Sequence, residues 1–189
     1  MHPAPPFSPA TFMSLSARNK YARRTREAAI FGMFGAMMFA SKYLMEILPN
    51  IHLLAMFIGI ITVVYRWRAL IPIYVYVLLD GLFHGFSLWW IAYLYIFLPL
   101  FFGFLLLPQR MPDWAKAILY PVIAALHGFL FGVLYAPAQA LIFGLDSIEK
   151  VIAWIAAGLP FDIIHGISNA AFGTLILPLS KLLMKLEKK

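Results

Sequence analysis

Residues 158–173 read GLPFDIIHGISNAAFG. On a 3.6-residue period Asp162, His165 and Asn169 fall within roughly 60° of one another, with Gly166 and Gly173 on the same side. A water-soluble helix shows a broader polar face, and a lipid-facing helix shows none. A narrow polar stripe in an apolar run predicts a membrane helix that turns one side toward a bundle interior or a wet cavity.

The rest of the chain fits that solvent. Hydrophobic residues make up 63% of its 189 positions and charged residues only 12%, the balance of an integral membrane protein rather than a soluble domain. Without cysteine, neither disulfides nor thiolate metal sites enter the reading. The first residues are Pro-rich (HPAPPFSP) and then basic (RNKYARRTR), with no apolar core ahead of a small-residue cleavage site. Residues 1–26 are therefore expected to be a disordered basic cytoplasmic leader, with Met13 an alternative start. Residues 27–185 are expected to form the membrane domain and 186–189 a basic tail.

Six apolar segments follow one another, at about 28–48, 53–65, 69–86, 88–107, 117–143 and 160–183. Pro137 is expected to kink the fifth, and Pro160 to sit in the first turn of the sixth. Most reach the ~20 residues that cross a bilayer core; the second does not. Either it tilts in thinner lipid or the preceding LPNIH loop dips into the protein, where buried backbone can be satisfied. Thirteen of the fifteen Lys and Arg lie before the first segment, in the 2–3 and 4–5 loops, or in the tail; Lys42 and Lys150 are the two exceptions. The positive-inside rule then predicts an all-α integral membrane protein with six transmembrane helices and both termini cytoplasmic. The net charge of +7 reads as a topology signal, not a nucleic-acid footprint.

With that topology the polar groups gather in the outer half. Asn50 and His52 flank the first outer loop; Asp80 and His84 end the third segment; Trp89, Trp90 and Tyr93 begin the fourth. Gln139 lies near the outer end of the fifth, Trp154 on a short outer helix before Gly158, and Asp162, His165 and Asn169 descend from the outer end of the sixth. Each has a plain structural alternative: an interfacial aromatic belt, an i,i+4 pair between Asp80 and His84, or Asn169 as helix–helix glue. HExxH and GxSxG are absent, DIIH matches no hydrolase motif, and His84, His127 and His165 make a poor haem set because His127 should lie deeper. Neither catalysis nor a metal or other cofactor is expected. A small-molecule pocket is. On the first segment Ala28, Gly32, Ala36 and Ala40 recur every four residues, a smooth ridge for internal packing or for docking another membrane subunit.

In this order and spacing, the LPNIHL loop, the AMMFA stretch at 36–40 and the GLPFDIIHGISN helix resemble the substrate-binding S components of energy-coupling factor (ECF) transporters. The resemblance spans residues 27–185 and implies a non-enzymatic subunit of the prokaryotic cell membrane that captures a vitamin or related micronutrient. It also implies three partner chains, a transmembrane T component and two ATPases, and no Walker A sequence occurs here. By the same resemblance the Ala36/Ala40 face meets the T component, and substrate is held near the outer surface by the polar residues named above. A stand-alone membrane enzyme or channel with a polar outer cavity is the alternative.

Overall fold

Helix α1 (Leu15–Leu44) lays down one side of a helical bundle, and its inward residues Phe31, Phe34 and Met38 are buried. The structure, a computed structural model, describes residues 15–187. After α1 come α2 (Leu54–Tyr65), α3 (Leu70–His84), a 3-10 stretch (Leu88–Leu94), α4 (Leu98–Leu105), α5 (Asp113–Phe129), α6 (Phe131–Phe143), α7 (Ile148–Gly173) and α8 (Ile176–Glu187). Among the described residues there is no strand. Four helical stretches, Leu54–His84, Leu88–Leu105, Asp113–Phe143 and Ile148–Gly173, are long and apolar enough to cross a membrane. α1 is not among them, because its first half carries Arg18, Lys20, Arg23, Arg24, Arg26 and Glu27 and its last turn Lys42.

Contacts define two ends. At one, Arg68 bonds Glu27, Phe31 meets Tyr65 edge-on at 5.1 Å, the Tyr65 hydroxyl reaches Glu187 at 3.1 Å, and Arg66 donates to the carbonyl of Leu105. The hydrogen bond from Arg68 holds the Glu27 carboxyl below its usual pKa. At the other, Lys42 Nζ lies 2.6 Å from Asp80, His52 meets His165 at 4.6 Å, and Tyr135 bonds the carbonyl of Trp89 at 2.9 Å. Successive segments run between these ends in alternating sense. α1 and α3 are consequently parallel and pack directly on each other, at Gly35 against Val75. The reversal is made at Arg66, whose φ of 56° breaks the stretch Leu54–His84 into two helices.

The core lies between α2, α4, α5 and α8, where Ile58, Ile61, Leu100, Phe101, Phe104 and Ile176 are fully buried. Small residues permit the closest approaches. A Cβ on Gly35 would strike Val75, and one on Gly128 would meet the backbone of Gly166 at 2.7 Å, which is how α5 and α7 come to make the most extensive helix pair.

The element boundaries differ from expectation in several places, among them the fourth segment, which splits into the 3-10 stretch and α4, and the sixth, which breaks between α7 and α8. The fifth segment breaks at Leu130 (φ −96°, ψ 4°), while Pro137 sits inside α6. α7 starts at Ile148 under a Ser147 cap, so Pro160 is internal and Trp154 belongs to the same helix as His165. Proline costs that helix one hydrogen bond, which a long apolar helix in protein contact tolerates. The leader expected to be disordered is helical from Leu15 onward, in continuity with the first segment; residues 1–14, Met13 among them, and 188–189 lie outside the described residues.

Candidate functional site

The end of the bundle marked by Lys42 and His165 is where unusual side chains meet. Asp80, in the last turns of α3, is fully buried. An unpaired carboxylate there would be very costly, and Lys42 from α1 answers it at 2.6 Å. His84, one turn on, adds its Nδ1 at 3.4 Å from the same oxygen. Aromatics from the 3-10 stretch cover the ammonium: Lys42 Nζ lies 4.9 Å from the Tyr93 ring centroid and 5.8 Å from that of Trp89. Asp80 thus neutralises the lysine while Tyr93 and Trp89 shield it.

Beside this pair lies a cavity of about 210 Å³, lined by Lys42, Asn50, His52, Tyr93, Phe131 and His165 among others. The LPNIH loop supplies its wall by dipping inward, with Asn50 turned to a φ of 60° to bring His52 over the bundle. Three imidazoles converge below it. His165 stands 4.6 Å from His52 and 6.3 Å from His127, ring to ring, with Phe131 at 4.8 Å. His127 is tied to the carbonyl of Ile96 at 2.9 Å. His165 is different: it is buried, and neither ring nitrogen has a partner among the described residues. Nδ1 of His52 is also unpartnered. A neutral imidazole carries one donor and one acceptor, and a buried side chain that satisfies neither is rare in folded proteins. No group of three His, Cys, Asp or Glu side chains among the described residues is arranged to hold a metal ion.

The polar stripe on α7 divides by what each residue touches. All three members are buried on one face. Asp162 accepts the Gly132 N–H with both oxygens, at 3.0 and 3.2 Å. Because the chain breaks at Leu130, Gly132 lies in the first turn of α6 and has no carbonyl of its own helix to bond; Asp162 caps that helix from outside. Asn169 donates from Nδ2 to the carbonyl of Ala124 at 3.2 Å, gluing α7 to α5. Of the stripe, His165 alone lines the cavity.

The other expected residues sort in the same way. Asn50, His52 and Tyr93 line the cavity, and Asp80, His84 and Trp89 reach it through Lys42. Trp90 is spent on fold, donating to the carbonyl of Val77 at 2.8 Å and packing on Phe86. Trp154 stacks on Tyr135, ring centroids 6.3 Å apart, and Gln139 is half-buried on α6; neither lines the cavity. Lys42 and Phe131 are site residues that the sequence reading left out. The signal for Lys42 was present, since a lone lysine in an apolar helix needs an acidic partner and Asp80 is the nearest in depth. Phe131 had no signal among so many aromatics.

The ridge on α1 faces outward. Ala28, Ala36 and Ala40 are exposed and nothing lies within 4 Å of a Cβ built on Gly32, whereas internal packing uses Phe34, Gly35 and Met38. Comparison with family models, with curated proteins and with solved structures finds no match for this chain.

Proposed function

We propose that this chain is the substrate-binding S component of an ECF-type importer, with six membrane spans and both termini on the cytoplasmic side. One observation carries the reading: a cavity at one end of the bundle holds a buried imidazole with both nitrogens unpartnered, beside a shielded lysine and a tyrosine. A few fixed polar groups within an aromatic wall are the ordinary make-up of a small-molecule site. The alternating passes of the chain, with thirteen of its fifteen basic residues allotted to one side, support the six-span topology. In that topology the cavity faces outward and captures a vitamin-like micronutrient.

Two further features favour a binding subunit over a channel or a self-sufficient enzyme. Phe97 packs on Tyr93 of the cavity wall, and Phe97, Phe101 and Phe104 are all buried in the core. The ring neighbours of His165 are His52, His127 and Phe131, an aromatic wall suited to holding a flat ligand. A binder needs partners to move its cargo, and the outward Gly32, Ala36 and Ala40 ridge suits close approach by a T-component helix. Two ATPases would complete the transporter at the Arg66 end.

Mass spectrometry of small molecules that co-purify with the full chain in mild detergent tests the reading. The expected result is a stoichiometric ring compound lost in His165→Ala. Recovery of no compound, together with no uptake when the chain is combined with an ECF module, would overturn it.

A further inference from the structure

A second cavity, of about 250 Å³, lies at the opposite end of the bundle, between the ends of α2, α4, α5 and α8. Three cationic side chains line it: Arg66, Lys116 and Lys181. Asp113 is the one carboxylate that answers them among the described residues, bonding Lys181 and lying 4.0 Å from Lys116. Among the described residues Arg66 donates only to the carbonyl of Leu105, and no carboxylate there matches its charge. Ser180 also lines the cavity; it is fully buried and its Oγ has no partner. Arg66 is held there at a φ of 56° and ψ of −130°, a conformation that L residues other than glycine rarely adopt. Strain of this kind persists where the surroundings over-determine it, and it clusters at ligand sites.

Two tryptophans mark the depth. Trp67 follows Arg66 and is 61% exposed; Trp114 precedes Lys116 by two residues and is 70% exposed. Exposed tryptophan on an apolar bundle belongs at headgroup level. The rest of the lining includes the non-polar Val63, Leu107 and Met184.

We propose that this cavity binds a phosphate group. Arg66 supplies forked donors, Lys116 and Lys181 supply charge, and Ser180 supplies a hydroxyl donor, a set matched to a phosphate oxyanion. The phosphate belongs either to an anionic lipid headgroup or to a soluble phosphate, and the flanking tryptophans favour the lipid. Basic pockets between helices at headgroup level are the usual receptors of such lipids. The site is independent of the transport reading, because it lies at the other end of the bundle and shares no residue with the first cavity.

The test compares thermal unfolding of the purified full chain in nanodiscs of phosphatidylcholine alone and of phosphatidylcholine doped with phosphatidylglycerol, and in neutral detergent with inorganic phosphate. The wild-type midpoint should rise by several degrees with phosphatidylglycerol. Arg66→Gly should abolish that rise while keeping or raising the midpoint in neutral lipid, since glycine accepts the local backbone. Lys116→Gln with Lys181→Gln, on side chains that reach solvent, should likewise abolish it and cut retention of phosphatidylglycerol in native mass spectrometry by about tenfold or more. This pair decides the matter even if Arg66→Gly fails to fold. A rise with inorganic phosphate alone, lost in the same variants, would place the phosphate in solution and still support the site. Equal midpoints in both lipids with no response to phosphate would overturn it, as would a rise that survives in every variant.

Discussion

The two ends of the bundle handle charge in opposite ways. At one, Lys42 and Asp80 meet at 2.6 Å with side chains 24% and 0% exposed. Where the loop before α7 meets its first turn, Lys150 and Asp146 meet at the same 2.6 Å with 57% and 73% exposed. At the far end, Lys181 and Asp113 are about as open, 51% and 59%. Distance alone does not rank these pairs; desolvation does. A buried pair leaves an expensive orphan when one partner is removed, whereas an exposed pair hands both partners back to water. Unmatched ionisable groups follow the same division: the unpartnered nitrogens of His165 and His52 are buried at one end, while the unmatched charge of Arg66 stands at the rim of the other.

The sharpest way to break this contrast is to cut the buried pair. Lys42→Met leaves Asp80 charged in an apolar site and should destabilise the protein by about 3–5 kcal/mol. Lys42→Met combined with Asp80→Leu should recover most of that loss, because no orphan charge remains. Thermal or denaturant unfolding in detergent reads both. If the single variant unfolds like wild type, Asp80 is already satisfied by His84 and the pair is dispensable.

Next in size is the separation of the α7 stripe into structure and site. Asp162→Ala removes both acceptors of the Gly132 N–H and should cost about 1–3 kcal/mol of stability with ligand affinity nearly unchanged. His165→Ala should do the reverse, weakening the co-purified ligand by about 1–3 kcal/mol while the unfolding midpoint moves little. Calorimetric titration beside the melts shows the crossing. Parallel losses in both variants would mean that cavity and helix contact form one inseparable unit.

The ridge offers a third contrast, between an inward and an outward face of one helix. Ala36→Leu with Ala40→Leu should leave folding and ligand binding intact but block co-purification with a T component. Gly35→Leu, which drives a side chain into Val75, should unfold the α1–α3 contact instead. The smallest effect belongs to the exposed pair. Asp146→Asn should leave the midpoint where it was, and any clear drop would show that this loop is less solvated than its exposure indicates.

The all-helical architecture, with helices apolar enough to cross a membrane, is legible from residues 28–183 alone, because hydropathy acts over whole segments. The short second segment and its inward loop are legible too: α2 has only 12 residues, and His52 does reach the interior. Breaks inside segments are not. A proline at 137 looked like the interruption of the fifth run, yet the break falls at Leu130, which has no local marker. Its partner is remote in sequence: the freed amide of Gly132 is taken by Asp162, thirty residues on.

That same fact divides the candidate site. Periodicity by itself determined that Asp162, His165 and Asn169 share one buried face of a membrane helix, since side-chain direction follows from 3.6 residues per turn. It could not determine what each would meet. Only the packed bundle brings a helix start opposite Asp162, the carbonyl of Ala124 opposite Asn169, and a cavity opposite His165. Hydrogen-bond partners across a bundle are set by the register of one helix against another, and that register is a property of the assembled core rather than of any single helix.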